Sequence, residues 1–367
     1  MKLINKPAVL VPLFWWLLAQ LAGYAVGWYT GCGGGWTELC RSRWDSALYL
    51  DIAQQGHTLF ECPNLPGKWC GNAGWAPLYP LLMAILGKTG LPLPVAGMAI
   101  SQLFYLLLLL LSAKMIGVRD YSVKGLLGVG MAAFAPGSIY FQVIFPSSMV
   151  VFFLTLSFYM TTQQRYSIAG ISAFFAVISY SIGFILIGVL GLWLILEWLE
   201  KGVFPKKQVL FLLIPPTFGM GLWFLYDYFV TGHWDALFLI QGKYGHGLNS
   251  PLKMLGLHLD NLIKTRFTLE IWIEIQNLMI TAIVLAAIVL AVMNRRSSQQ
   301  RLQGIWMGLF WLFPFSVSMQ VSLYRNCGTL LPGWLAFSGI RMRAALLALF
   351  ILIWWPLAEL FFQSRII

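Results

Sequence analysis

The chain has 367 residues, of which 59% are hydrophobic and 10% charged, against about 25% charged in a soluble domain. The formal charge of +11 gathers at the ends of apolar runs, at Lys2 and Lys6, Arg119 and Lys124, Lys201, Lys206 and Lys207, and Arg295, Arg296 and Arg301. That is the positive-inside pattern of a membrane protein, so a water-soluble enzyme and a nucleic-acid partner are both excluded as readings. Charge-free runs at Thr89–Ala113, Gly125–Gln164, Tyr166–Leu196 and Leu302–Tyr324 each hold one or two crossings of roughly 20 residues. The class is an all-α polytopic membrane protein, read as a single transmembrane domain over 1–367.

In chain order, the apolar run Ala8–Tyr29 exceeds the roughly 7–15 residues of a signal-peptide core, so it is expected as a retained first span with a cytoplasmic N-terminus. The polar segment 30–74 is then an extracytoplasmic loop. It holds Cys32, Cys40, Cys62 and Cys70, four of the five cysteines. Thiols oxidise outside the cytoplasm, so one or two disulfides are expected, and four cysteines allow three pairings. Trp75–Gly87 is short for a crossing. A full span there would put Arg119 and Lys124 outside, so a re-entrant segment is expected. Val95–Met115 is a proper span, and its six leucines at Leu106–Leu111 read as a lipid-facing surface.

Gly125–Gln164 is interrupted by Pro136-Gly137 and Pro146-Ser147-Ser148. Proline breaks the helical ladder, which predicts two spans with a non-helical apex near Phe145–Ser148. Tyr166–Leu196 is one tilted span or two short ones. Val209–Phe229 crosses outward, with Pro215-Pro216 bending it, which makes 231–270 the second large extracytoplasmic loop. Ile271–Met293 returns, Leu302–Leu323 goes out, and Leu330–Ile340 and Ala344–Phe362 finish the chain. The total is about nine or ten spans of roughly 20 residues, with no internal repeat.

Polar groups gather on the extracytoplasmic side: Arg41, Arg43, Asp45, Asp51 and His57 in the first loop, Asp235, Lys243 and His246 in the second, and Arg325 beyond. Few charges lie deep in a span, where ion-coupled transporters place them. Asp45 precedes Ser-Ala-Leu-Tyr and reads as a helix N-cap for about 46–55. That helix puts Asp45, Tyr49, Ile52 and Gly56 on one face. Asp51 is rotated by about 240°, so the two carboxylates do not form a facing pair. A single carboxylate beside arginines suits a base that takes a proton from a hydroxyl while cations stabilise a departing phosphate. His57 after Gly56 reads as a loop residue bonded to backbone. His233 and His246 lack a Cys or acidic partner at zinc spacing, so no metal site is expected. No phosphate-binding glycine loop, dinucleotide motif or nucleophile elbow is present.

Arg43-Trp44-Asp45-Ser46 with Tyr49, Ile52-Ala53 and Gly56 resembles the first-loop signature of the PIG-V-like mannosyltransferases (the GPI mannosyltransferase 2 family), which are GT-C glycosyltransferases. Pro77-Leu78-Tyr79-Pro80 resembles the family's Phe-Pro-Leu-Tyr-Pro element. Pro136 to Ser148 resembles its Pro…Tyr-Ser-Glu-Ser segment, and Gly232 to Gln241 its Gly-Asp-Pro-Leu-Ala-Phe…Gln loop. The order holds from about residue 10 to 335. His57 replaces the family's Tyr, the Glu near Ser147-Ser148 is absent, and the late Arg-Tyr-x-Leu element is reduced to Tyr324-Arg325-Asn326. These changes leave the sugar and acceptor open.

The resemblance implies a GT-C helical bundle that moves a sugar, such as mannose, from a polyprenyl- or dolichyl-phosphate carrier to a hydroxyl of a glycolipid or protein, with inversion. Asp45 would be the base. Arg43, Arg325 and Lys243 are placed by charge and sidedness for the donor phosphate. Trp44, Tyr49, Asp51, His57, Tyr79, Gln241 and His246 complete the candidate substrate site. No cofactor is expected, since the lipid-phosphate sugar is a substrate; a divalent ion and a membrane partner subunit stay compatible. Compact loops point to a bacterial plasma membrane, with the endoplasmic reticulum as alternative. Two rival readings are a flippase of lipid-linked sugars, which predicts a polar path across the bilayer, and an inactive subunit, which predicts loss of Asp45.

Overall fold

The structure, a computed structural model, describes residues 6–32, 42–244, 247–293, 297–317, 323–335 and 339–366. Cys40, Arg41, His246, Arg295 and Arg296 lie outside the described residues. Among the described residues the fold is all-helical apart from one small hairpin. Six helical stretches among the described residues are long and apolar enough to cross a membrane: Lys6–Tyr29, Leu93–Ile116, Ser181–Lys201, Lys206–Thr231, Ile271–Met293 and Ile340–Phe362. The chain is therefore a multi-pass membrane protein.

Helix α1 (Lys6–Tyr29) leads into α2 (Ser46–Gln55), then a hairpin of β1 (Leu59–Glu61) and β2 (Trp69–Gly71). The strands pair antiparallel with Phe60 opposite Cys70, and a Cys62–Cys70 disulfide closes the hairpin. Cys32 is disulfide-bonded as well. Helix α3 (Leu78–Gly87) has ten residues, about 15 Å of rise. It runs antiparallel beside the first turns of α4 (Leu93–Ile116): Tyr79 Oη donates to Gly97 O at 2.9 Å and lies 2.8 Å from Ser101 Oγ, while Gly87 abuts Leu93. The segment thus starts at the depth of Ser101 and ends level with the start of α4, without crossing.

Trp16 Nε1 donates to Gln102 at 3.1 Å, and Gln102 Nε2 to Gln142 O at 3.3 Å, which places α4 beside α1. The helix over Ile340–Phe362 sets the direction: near its start Arg343 donates to Lys124 O at 3.0 Å, and at its end Phe362 O shares Arg43 with Cys32, just past α1. Gly125 lies against Val118 at the end of α4, so α4 runs antiparallel to α1, and Lys114, Arg119 and Lys124 share the pole of Lys6. Helices α5 (Val123–Ala133) and α6 (Ser147–Thr162) form a hairpin that climbs only part of the bundle. Between them the chain breaks at Pro136-Gly137, makes a 3-10 turn over Ser138–Phe141, and resumes at Pro146. Every residue from 128 to 151 is buried. The apex docks on α4 through Ser148 Oγ to Ser101 O at 2.8 Å and Ser101 Oγ to Phe145 O at 3.0 Å. Ser101 is eight residues into α4, so the apex sits about 12 Å below that helix's outer end.

Tyr166–Leu196 forms two helices, α7 (Tyr166–Ser179) and α8 (Ile185–Lys201), broken at Tyr180. Helices α9 (Lys206–Leu212) and α10 (Ile214–Thr231) cross back with the bend at Leu213. Outside them lie α11 (Ala236–Lys243) and α12 (Pro251–Lys264), followed by α13 (Ile271–Met293) and α14 (Ser298–Val317). A segment of short turns, α15 (Leu323–Asn326), a 3-10 turn at Cys327–Leu330 and α16 (Leu331–Leu335), descends along α14. Trp306 Nε1 donates to Thr329 O at 2.9 Å, and Gln303 Nε2 to Gly333 O at 3.2 Å. Helix α17 (Ile340–Phe362) begins beside Lys124, whose carbonyl accepts from Arg343 at 3.0 Å.

Arg165, Lys201, Lys206, Lys207, Arg301, Arg341 and Arg343 fall at the pole of Lys6, and both large loops fall at the other. The loops lie at the pole opposite these basic residues, the side that the positive-inside rule assigns to the exterior. The basic pole is clamped by Arg301, which pairs with Glu197 and with Glu200 at 2.5 Å.

Candidate active site

Asp45 sits where a helix N-cap belongs, and its carbonyl accepts from Tyr49 N at 3.1 Å. Its backbone is already helical, at φ −61° and ψ −15°, and its side chain makes no capping bond. The carboxylate is instead turned to Arg325: Nη1 donates to Asp45 Oδ2 at 2.8 Å, with the two side chains 10% and 18% exposed. An ion pair with little solvent around it holds its geometry more firmly than a surface pair. Trp44, just before, is a non-glycine residue at φ +52°, a conformation costing about 1–2 kcal/mol. The turn it makes aims Asp45 inward while the indole stays exposed.

Arg325 lies on an aromatic floor. Its guanidinium is 5.8 Å from the Tyr140 ring centre and 5.6 Å from that of Phe145, distances at which cation–π attraction operates. Tyr140 and Phe145 come from the buried apex between α5 and α6, and their rings meet at 5.3 Å. Tyr49, on α2, packs edge-on against Phe145 at 6.1 Å and Tyr79 at 5.4 Å. Burial pushes the Tyr49 phenol well above its usual range, with Tyr180 and Asp45 adding to the effect. Its hydroxyl is a neutral donor with no hydrogen-bond partner among the described residues, and Arg325 Nε has none among them either. Tyr180, at the break after α7, lies within electrostatic reach of both Asp45 and Arg325. Tyr244, at the end of α11, feels Asp45 from the second loop. The site is thus a recessed carboxylate–guanidinium pair ringed by phenols, with a buried cation that has an N–H to spare.

Gly137 holds up the Arg325 side of this recess. It has φ +82°, and a Cβ there would meet Tyr324 O at 2.7 Å and Arg325 O at 3.1 Å. The apex and the descending segment approach that closely because the side chain is missing.

The remaining candidates fall elsewhere. Arg43 Nη2 donates to Cys32 Sγ and to Phe362 O, both at 3.3 Å, tying the first loop to the end of α17. Asp51 accepts from Asn72 Nδ2 at 2.6 Å, and Asn72 Oδ1 accepts from Thr58 N at 2.7 Å. Asp51 therefore braces the loop, facing away from Asp45 as the helical phase requires. Tyr79 backs Tyr49 and spends its hydroxyl on α4. Lys243 lies 5.5 Å from the Tyr244 ring centre, and Gln241 lies beside Gly74. Tyr140, Phe145, Tyr180, Tyr244 and Gly137 were not among the candidate site residues. The proline breaks and the family-like segment Pro136–Ser148 cover three of them, Gly137, Tyr140 and Phe145. Among the described residues no three His, Cys, Asp or Glu side chains gather to hold a metal ion.

His57 is buried on the far side of α2. Its Nε2–H donates to Trp75 O at 2.8 Å, so Nδ1 accepts from Tyr226 O–H at 2.9 Å. It lines an apolar cleft of about 300 Å³ with Ile52, Leu78, Phe174 and Trp223. Burial lowers its pKa, against a smaller opposite pull from the Trp75 carbonyl. The unfolded chain protonates near pH 6.5 while the folded loop does not, so the unfolded state binds more protons below that pH. Stability is then full above about pH 6.5 and falls as the pH drops towards the lowered folded value. Proteolysis of the first loop should accelerate between pH 7 and 5, and His57→Gln should flatten that profile; an unchanged profile in the variant would assign the pH response to another group.

No family model matches the chain. No curated protein matches it in sequence. In structure it is similar to the oligosaccharyltransferase of Archaeoglobus fulgidus, solved in complex with zinc and sulfate, with a TM-score of 0.51 and 14% identity. The match covers 97% of this chain and 53% of that enzyme, so the chain spans about half its length. Over the matched stretch the two chains share a helical fold.

Proposed function

We propose that this chain is an inverting GT-C glycosyltransferase that moves a sugar, with mannose the leading candidate, from a polyprenyl-phosphate carrier to a hydroxyl on the extracytoplasmic face. The observation that carries the reading is the Asp45–Arg325 pair, recessed at the loop pole of a GT-C bundle. The acceptor hydroxyl gives its proton to the Asp45 carboxylate as its oxygen forms a bond to the anomeric carbon. The bond from that carbon to the phosphate oxygen breaks, and polyprenyl phosphate leaves with the electron pair. Arg325 meets the charge on the departing phosphate with the N–H groups that Asp45 does not occupy, the contribution expected of a preorganised cation. One displacement inverts the anomeric centre. The PIG-V-like motifs support mannose and a lipid-linked or protein acceptor. The short loops support a bacterial plasma membrane.

The test uses the full chain in proteoliposomes with radiolabelled polyprenyl-phosphate hexoses and, separately, sugar nucleotides. Label should move from the lipid carrier to a new glycoside of inverted configuration, and sugar nucleotides should be inert. Lipid-linked sugar that crosses the bilayer with its carrier bond intact would replace the enzyme by a flippase.

A further inference from the structure

Helix α12, in the second loop, has three faces at about 100° per residue. Met254 and His258 are buried against the bundle. His258 Nδ1 lies 2.5 Å from Glu274 Oε2, and Asn261 Nδ2 donates to Glu274 Oε1 at 3.2 Å, so a good part of the protein-facing side is polar and hydrogen-bonded. A second stripe, about 140° further round, carries Leu252, Leu259 and Ile263, exposed by 79%, 48% and 66%. A third, another 100° or so on, carries Lys253, Asp260 and Lys264. Leu248 and Phe267, beyond the two ends of the helix, are 82% and 86% exposed, and the Arg266 guanidinium lies 4.6 Å from the Phe267 ring centre.

A helix that spends polar groups on its own protein and turns isoleucine and leucine outward is built for a solvent less polar than water. Its charged stripe stands beside the apolar one, which is the arrangement of a helix lying in a bilayer interface. Its place agrees: α10 and α13, on either side of it in the chain, are membrane-crossing helices whose outer ends fix this loop at the bilayer surface. Lys253, Lys264 and Arg266 then sit where lipid phosphates lie.

We propose that α12 is seated in the outer phospholipid leaflet, with the Leu252–Leu259–Ile263 stripe at the boundary of acyl chains and headgroups and the Lys253–Lys264 stripe facing water. This seat anchors the loop that brings Tyr244 towards Asp45. It does not depend on which reaction Asp45 performs.

The test places single nitroxide-labelled cysteines at Leu252, Ile263, Lys253 and Asp260 of the full chain in phosphatidylcholine–phosphatidylglycerol vesicles. Cys327, the free cysteine among the described residues, is buried and stays unlabelled. Relaxation by oxygen, which concentrates in lipid, is compared with relaxation by a water-soluble nickel chelate. Oxygen should dominate at Leu252→Cys and Ile263→Cys, and nickel at Lys253→Cys and Asp260→Cys. Nickel dominance at all four sites would make α12 a solvent-exposed helix. Exclusion of both reagents at Leu252 and Ile263 would mean that a protein, a second copy or another subunit, covers the stripe. Either result overturns the lipid seat, and neither bears on transfer activity.

Discussion

Asp45→Asn is expected to lower sugar transfer by about 10²–10⁴-fold, the range for loss of a general base, while the chain still inserts and folds. Asparagine keeps the size of the side chain, and its carbonyl oxygen still accepts from Arg325 Nη1. It has no useful affinity for the acceptor's proton. The variant also leaves the Arg325 charge unbalanced in a recess where only 10% of that side chain is exposed. A loss of about 1–3 kcal/mol in stability should accompany the loss of activity, the scale for a hydrogen bond to a charged group.

These two effects have different cures, and that separates a base from a strut. Adding Arg325→Gln to Asp45→Asn removes the orphaned cation, so much of the lost stability should return. Transfer should stay low, because neither a base nor a phosphate partner remains. If Asp45 served only to position Arg325, Asp45→Asn would keep more than about a tenth of the activity, since the 2.8 Å contact survives with an amide oxygen. Transfer rates in proteoliposomes together with melting temperatures of the two variants decide between these readings. Arg325→Lys alone should also be weak, because a point charge on a flexible stem does not reproduce a fork held over two aromatic rings.

The sequence made the local features of this site plain. The helix over 46–55, its buried face at Tyr49 and Ile52, and the divergence of Asp51 from Asp45 follow from a periodicity of 3.6 residues. The gathering of both loops at the pole opposite the basic clusters followed from where lysine and arginine lie in the sequence. Charge and sidedness placed Arg325 in the site, but its pairing with Asp45 was out of reach, because it is made by elements distant in the chain. Arg325 meets Asp45 across 280 residues, and no local pattern distinguishes an arginine that will reach a carboxylate from one that will not. Arg43, two positions from Asp45, had the better claim by proximity in sequence, yet its guanidinium is held against Phe362 O. Asp45 shows the limit from the other side. It stands at the cap position that its residue type predicts, but a buried guanidinium at hydrogen-bond distance outcompetes the helix's own amides for its side chain.

Length and charge sorting make the short Trp75–Gly87 segment re-entrant, and in the structure it runs only beside the first turns of α4. Its path was less legible, because α3 rises from the depth of Ser101 towards the loop pole. The floor under Arg325 was partly visible as two proline breaks. Those breaks mark where helices stop, and only packing shows that the span between them is buried throughout.

That floor carries the second large effect. Gly137→Ala should cost transfer about 10–10²-fold, although residue 137 touches neither the Asp45 carboxylate nor the Arg325 guanidinium. Two penalties combine at this position. An alanine at φ +82° pays about 1–2 kcal/mol of backbone strain, and its Cβ would stand 2.7 Å from Tyr324 O, inside contact distance. The chain at 324–325 must then move, and Arg325 moves with it. Misplacement of a reacting partner by about 1 Å is enough for a loss near 10²-fold. Gly90→Ala carries the first penalty alone. Gly90 has a similar φ of +90°, but nothing lies within 4 Å of the added carbon. Both variants should lose comparable stability from strain, and only Gly137→Ala should lose activity. Equal activity in the two would mean that the apex does not set the position of Arg325. A matched pair of melting curves and transfer rates, read together, shows whether the buried apex is scaffold for the whole bundle or the rest on which the guanidinium is held against Asp45.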